Sequence, residues 1–74
     1  MNTYDDFTIL RAIYHRSHAQ RQTHALLDDV AGDLQLFPGR LRQACLHLRA
    51  VGLLTIAGRF LSLTPEARRI MESA

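Results

Sequence analysis

The side chains best equipped for chemistry in this 74-residue sequence gather between Pro38 and Leu54, which reads PGRLRQACLHLRAVGLL. Arg40, Arg42 and Arg49 each carry a planar guanidinium with paired N–H donors. Such a fork fits a phosphate, or O6 and N7 of guanine, while the amide of Gln43 fits N6 and N7 of adenine. His47 adds a ring nitrogen that donates or accepts. Arg59 follows further on, and residues 34–65 hold no acidic side chain at all.

The spacing within this stretch says which element must hold these groups. Leu41, Cys45 and Leu48 recur at steps of four and three, and Ala44 widens the stripe. That is the apolar face of an α-helix. Arg40, Arg42, Gln43, His47 and Arg49 fall outside the stripe. Pro38 suits a first helical turn, where its missing N–H costs nothing. Gly52 suits the left-handed residue that ends a helix. One helix therefore has a core face and a cationic, hydrogen-bonding face, an arrangement suited to a nucleic acid.

The charge of the whole chain is only +2, but it is unevenly spread. Residues 1–33 hold five aspartates and three arginines, residues 34–65 hold four arginines, and residues 66–74 balance. A cationic block that coincides with one helix and its sequel is a modest electrostatic footprint for phosphate binding. All nine basic residues are arginine.

Other chemistries find less support. His15, His18, His24 and Cys45 lack the paired spacing of a metal site, so no metal and no cofactor is expected. The lone Cys45 excludes an internal disulfide and reads as a small buried hydrophobe. There is no glycine-rich phosphate loop and no serine-centred nucleophile motif. Asp28 and Asp29 are adjacent and diverge on a helix. An enzyme is not expected. The sequence holds no apolar run of about 18 residues and no signal segment, so a cytoplasmic protein without membrane contact is expected. Its length suggests a single domain over 1–74 with a thin stability margin, which a dimer would widen.

The remaining elements follow in order. Thr3, with Asp6 three residues on, starts helix 1 at about 4–17, with Phe7, Leu10, Ile13 and Tyr14 as its stripe. Thr23 caps helix 2 at about 24–33, with Leu26, Leu27, Val30 and Ala31 inward. Gln20, Arg21 and Thr23 precede this helix, whose N-terminus could also donate to a phosphate. Leu34 to Phe37 form a turn, because Phe37 precedes proline. Helix 3 covers about 38–51. A two-stranded hairpin covers about 54–63, turning at Ala57-Gly58, with Arg59 opening the second strand. Too small to stand alone, it must lie on the helices. Thr64 caps a last helix of about 65–73, with Ala67, Ile70 and Met71 inward. The expected class is mainly α with a small β-hairpin.

Three segments carry a resemblance to a known family. Val30 to Cys45, read VAGDLQLFPGRLRQAC, resembles without a gap the helix-turn-helix pattern of an apolar residue, a small alanine, two polar residues and Leu-Gly-Leu-Ser before a second helix. Leu48 to Leu54 is similar to the L-x-x-x-G-L-[IVL] that leads from recognition helix to wing in MarR-, PadR- and ArsR-like bacterial regulators. Phe60 to Arg68 is similar to their [YF]-x-L-T-x-x-G exit from the wing. The resemblance covers about residues 5–72 and implies a winged helix-turn-helix domain. Gln35 stands where the family turn has glycine, and Phe37 where serine or threonine caps the recognition helix.

The resemblance implies a small transcriptional regulator that binds double-stranded DNA. Arg40, Arg42 and Gln43 would meet base edges in the major groove, with His47 on the same surface. Arg59, on the wing, would reach the minor groove or the backbone. A homodimer through helix 1 and the C-terminal helix is expected. A second reading is a winged helix that binds protein, as an adaptor or as an inhibitor of a nucleic-acid enzyme. Phe37 and Leu46 are its candidate contacts: either they pack into the core with Leu36 or they lie exposed, and the stripe leaves Leu46 outside.

Overall fold

A computed structural model describes residues 5–73. In chain order these form α1 (Asp6–Ala19), β1 (Ala25–Leu26), α2 (Leu27–Leu34), α3 (Pro38–Ala50), β2 (Leu54–Ala57), β3 (Phe60–Leu63) and α4 (Pro65–Ser73). The two residues expected to open helix 1, Thr3 and Tyr4, lie outside the described range. The observed cap is Asp5, whose carboxylate accepts from the Thr8 N–H at 2.7 Å. Those hydrogen bonds from Thr8 hold the Asp5 carboxyl below the ordinary carboxylate range.

The α1 face that packs inward consists of Ile9, Leu10, Ile13 and Ser17, with Phe7 and Tyr14 half-buried at its margins. Buried Ser17 satisfies its hydroxyl by donating to the Tyr14 carbonyl at 3.0 Å. Arg16 on α1 forms a two-pronged ion pair with Asp33 on α2, its Nε donating to the carboxylate at 2.8 Å. This pair fixes α1 against the helix that precedes the turn.

Helices α1, α2 and α3 end in the same way. After each, two successive N–H groups reach back to the last turn, the pairing of a Schellman motif. Leu53 N–H to Leu48 C=O, Leu36 N–H to Ala31 C=O and Gln22 N–H to Ser17 C=O are the longer bonds, at 3.0, 2.9 and 2.9 Å. The motif needs a left-handed residue. Gly52 supplies it after α3 with φ +83°, but Gln35 supplies it after α2 with φ +55° and Arg21 after α1 with φ +54°. Gln35, which stands where the family turn has glycine, thus adopts the left-handed conformation that glycine takes readily. It stores strain that glycine would not.

Helix 2 departs from the sequence expectation. Residues 25 and 26 are not its first turn but a short strand, pairing Ala25 with Leu61 and Leu26 with Phe60. The Leu27 N–H continues that ladder to the Arg59 carbonyl at 2.7 Å. A β-ladder therefore takes the backbone groups that a helical turn would use. Leu26 becomes the N-cap with no side-chain cap bond, so Thr23 caps nothing. Leu26 points outward at 38% exposure, whereas Leu27, Val30, Ala31 and Leu34 are buried.

The sheet consequently has three antiparallel strands in the order β1-β3-β2, not two. Leu54 pairs with Leu63 and Ala57 with Phe60, so the hairpin turn is Gly58-Arg59 and not Ala57-Gly58. Of these two, only Gly58 has positive φ, at +61°, which suits a type II′ turn. Arg59 thus sits at the tip and does not open β3.

Thr64 caps α4 as expected. Its Oγ1 accepts from the Ala67 N–H at 3.3 Å and donates to the Gly52 carbonyl at 2.9 Å, tying α4 to the end of α3. Ala67 and Met71 face inward, but Ile70, expected with them, is exposed. Leu41, Cys45 and Leu48 of α3 are fully buried among Ile13, Val30, Leu54 and Leu61. Burial pushes the Cys45 thiol up to about 11.

Stability measurements test the two readings. Replacing Gln35 by glycine removes left-handed strain, so Gln35→Gly should stabilise the protein by roughly 0.5–1 kcal/mol in urea unfolding. Gly52→Ala should cost about 1 kcal/mol through backbone strain alone, because a Cβ there meets nothing within 4 Å. No change in either variant would contradict the account of the helix ends. For Cys45, a native thiol inert to a disulfide reagent at pH 8, becoming reactive only with global unfolding, is the expected labelling result.

Candidate nucleic-acid interface

The burial of one stripe of α3 dictates what the opposite side shows. Arg40, Arg42, Gln43, His47 and Arg49 are all exposed. At about 100° per residue, Gln43 lies between Arg40 and Arg42, which flank it some 160° apart around the axis. Gln43 is thus central on the outward ridge, with one arginine on each flank. None of the ion pairs among the described residues involves Arg40 or Arg42. The first turn of α3 carries no acid, so nothing offsets the positive end of its dipole there.

Two further candidate side chains, His47 and Arg59, face carboxylates. His47 places Nε2 3.6 Å from the Asp6 carboxylate at the start of α1. Arg59 places a guanidinium nitrogen 3.6 Å from the Asp28 carboxylate in the first turn of α2. Both pairs are largely exposed, where an ion pair is worth little and breaks readily for a stronger partner. They still lower the local positive potential. The acid-free run seen along the chain is acid-free only in sequence: two other elements bring carboxylates to its margins. Sequence reasoning missed Asp6 and Asp28, because pairs that bridge elements leave no trace in a segment's charge.

Asp28 and Asp29 occupy the first turn of α2. They complement the helix dipole but repel an anion, so the Gln20–Thr23 side offers no phosphate cradle at that helix start. Phe37 stands at the N-cap of α3 in extended backbone, makes no side-chain cap bond and is 80% exposed. Leu46, expected to be exposed, is half-buried and lies outside the core cluster. Leu36 packs against the core, and neither Phe37 nor Leu46 joins it there. A separate apolar spot lies on the outer face of the sheet. There Leu26 and Phe60 are cross-strand partners and the His24 ring meets Phe60 edge-on at 4.8 Å.

Among the described residues, no group of three or more His, Cys, Asp or Glu side chains is placed to hold a metal ion. No helix among them is long and apolar enough to cross a membrane.

Comparison with known proteins was made on this geometry. No family model matches the chain, and no curated protein matches it by sequence. Solved structures do match. IdeR from T. acidophilum superposes with a TM-score of 0.77 at 19% identity, over 96% of this chain and 33% of that one. A protein from Rhodococcus sp. RHA1, described as a candidate transcriptional regulator, superposes with a TM-score of 0.66 at 26% identity, over 95% of this chain and 28% of that one. The chain thus spans about a third of the length of the structures it matches. It has the winged helix-turn-helix fold: α2, its turn and α3 are the helix-turn-helix, and β2 and β3 are the wing.

The charge geometry makes its own prediction. Asp28→Asn frees Arg59 and removes a negative charge beside the wing, so it should tighten low-salt binding to duplex DNA in a fluorescence anisotropy titration. Unchanged or weaker binding would mean that the wing tip does not approach the duplex.

Proposed function

We propose that this chain binds double-stranded DNA as the DNA-reading domain of a small transcriptional regulator acting in the cytoplasm. The observation that carries the reading is the outward face of α3, where Gln43 is flanked by Arg40 and Arg42 and neither arginine is ion-paired among the described residues. Inserted in the major groove, this face offers Arg for guanine and Gln for adenine. Phosphates take Arg49 and, after release from Asp28, Arg59. His47 contributes once it leaves Asp6. The Rhodococcus structure supports the regulatory role, and the motifs from Val30 to Arg68 favour the MarR-, PadR- and ArsR-like regulators among winged helices.

A binder with few cations gains affinity and selectivity by pairing. The reading therefore includes a homodimer through α1 and α4, whose outer surfaces carry Arg11 above the Phe7 ring and exposed Ile70. No catalytic role and no cofactor belong to the reading.

A second reading, a protein-docking module, draws on the Leu26–Phe60 pair. These residues are 38% and 44% exposed and adjacent, on a face that the DNA-binding arrangement leaves free. Leu46 is too covered to contribute much to it.

Salt titration separates the two. Binding to a random duplex pool should weaken steeply with salt, and Arg49→Ala with Arg59→Ala should lower the slope of log K against log salt by about one per arginine. Gln43→Ala should flatten sequence preference with little change in that slope. Absence of any duplex binding at low salt would remove the DNA reading and leave the protein-docking one.

A further inference from the structure

We propose that Phe37 selects thymine, its ring packing on the 5-methyl group of a thymine at the leading end of α3. The inference rests on the DNA reading above and names a base that this interface selects.

Phe37 is the most exposed large hydrophobic residue among the described ones, at 80%. It also holds a position where Ser, Thr, Asp or Asn would stabilise the helix, and it makes no cap bond. The helix thus forgoes a cap and leaves a phenyl ring in water at the same place. Local packing does not account for the ring. A hydrophobic staple uses the residue before the cap. That residue is Leu36, which packs against the core cluster containing Leu41.

The surroundings say what covers the ring. The Phe37 carbonyl accepts from the N–H groups of Arg40 and Leu41 at 3.0 and 3.1 Å, so Phe37 lies one turn from Arg40. Arg40 and Arg42 have no ion-pair partner among the described residues, and no acid stands in the first turn. An apolar protein surface laid on Phe37 would strip water from these guanidiniums without replacing it. A duplex supplies phosphates and base acceptors for them instead. The N-terminal residues of such a helix meet base edges. In the major groove the apolar group presented by a base edge is the thymine methyl.

The test removes the thymine methyls and leaves every hydrogen-bonding group of the base edges in place. Duplexes enriched by the protein from a random-sequence pool are prepared in two forms, with thymidine or with deoxyuridine. Affinities of the wild type, Phe37→Ser and Phe37→Leu are measured by fluorescence anisotropy at one salt concentration, with thermal melts confirming that each is folded. Serine is itself a favoured N-cap. The wild type should bind the thymidine form about fourfold tighter for each methyl covered. Phe37→Ser should bind both forms equally and match the wild type on deoxyuridine, while Phe37→Leu keeps part of the preference. Equal wild-type affinity for the two forms, a thymidine preference that persists in Phe37→Ser, or equal weakening of both forms by that substitution overturns the inference while duplex binding stands. Failure to bind any duplex overturns the DNA reading itself, and the thymine contact with it.

Discussion

The fold depends on one constraint: α3 must hide Leu41, Cys45 and Leu48 together. All three are fully buried, in contact with a core drawn from every other helix and from the sheet. Burying a side chain of this size is worth about 1.5–3 kcal/mol, and a domain this small has little to spare. Turning α3 by one residue step, about 100°, would put Arg40, Ala44 and His47, or Arg42, Leu46 and Arg49, in the places of Leu41, Cys45 and Leu48. The core thereby fixes the rotation of the helix, and the rotation fixes which side chains face outward. The polar side chains on the opposite face are positioned by hydrophobic packing and need no bonds of their own.

The connections around α3 serve that placement. Left-handed residues end α1, α2 and α3, so each helix stops within a residue or two and the chain turns sharply. Thr64 then ties the start of α4 to the carbonyl of Gly52, and the ion pair between Arg16 and Asp33 locks α1 to α2. Electrostatics outside these anchors is weak. The pairs of His47 with Asp6 and of Arg59 with Asp28 are long and exposed, so they adjust the surface potential more than they hold the fold. On α3 the arginines at the flanks of the outward ridge, Arg40 and Arg42, keep their charge free of ion pairs among the described residues.

Much of this was legible in the sequence because it is written in local period and in caps. The α3 stripe, the glycine that ends the helix, the left-handed Gln35, the Thr64 cap and the hairpin each depend on residues within one or two turns of each other. The failures involve partners distant in sequence. Ala25 and Leu26 carry a helix-compatible pattern, and only β3, some 35 positions on, makes them a strand. The β2–β3 register, pairing Ala57 with Phe60, sets the hairpin turn one residue later and carries Arg59 to the tip. Ile70 is exposed because the short α4 at the edge of a small core buries only Ala67 and Met71, whereas Leu46 is half-buried although it lies off the α3 stripe. The candidate cations were identified by type and spacing, but the carboxylates that face two of them come from other elements.

The central claim is that the outward face of α3, led by Phe37 and centred on Gln43, is the surface that meets DNA. Backbone amide NMR during titration with a duplex pool at low salt tests it most directly. The account predicts that the largest shifts fall on Phe37 and on Gly39 to His47, with smaller ones at Gly58 and Arg59. Shifts confined to α1 and α4, or to the Leu26–Phe60 face, with α3 unmoved, would contradict it.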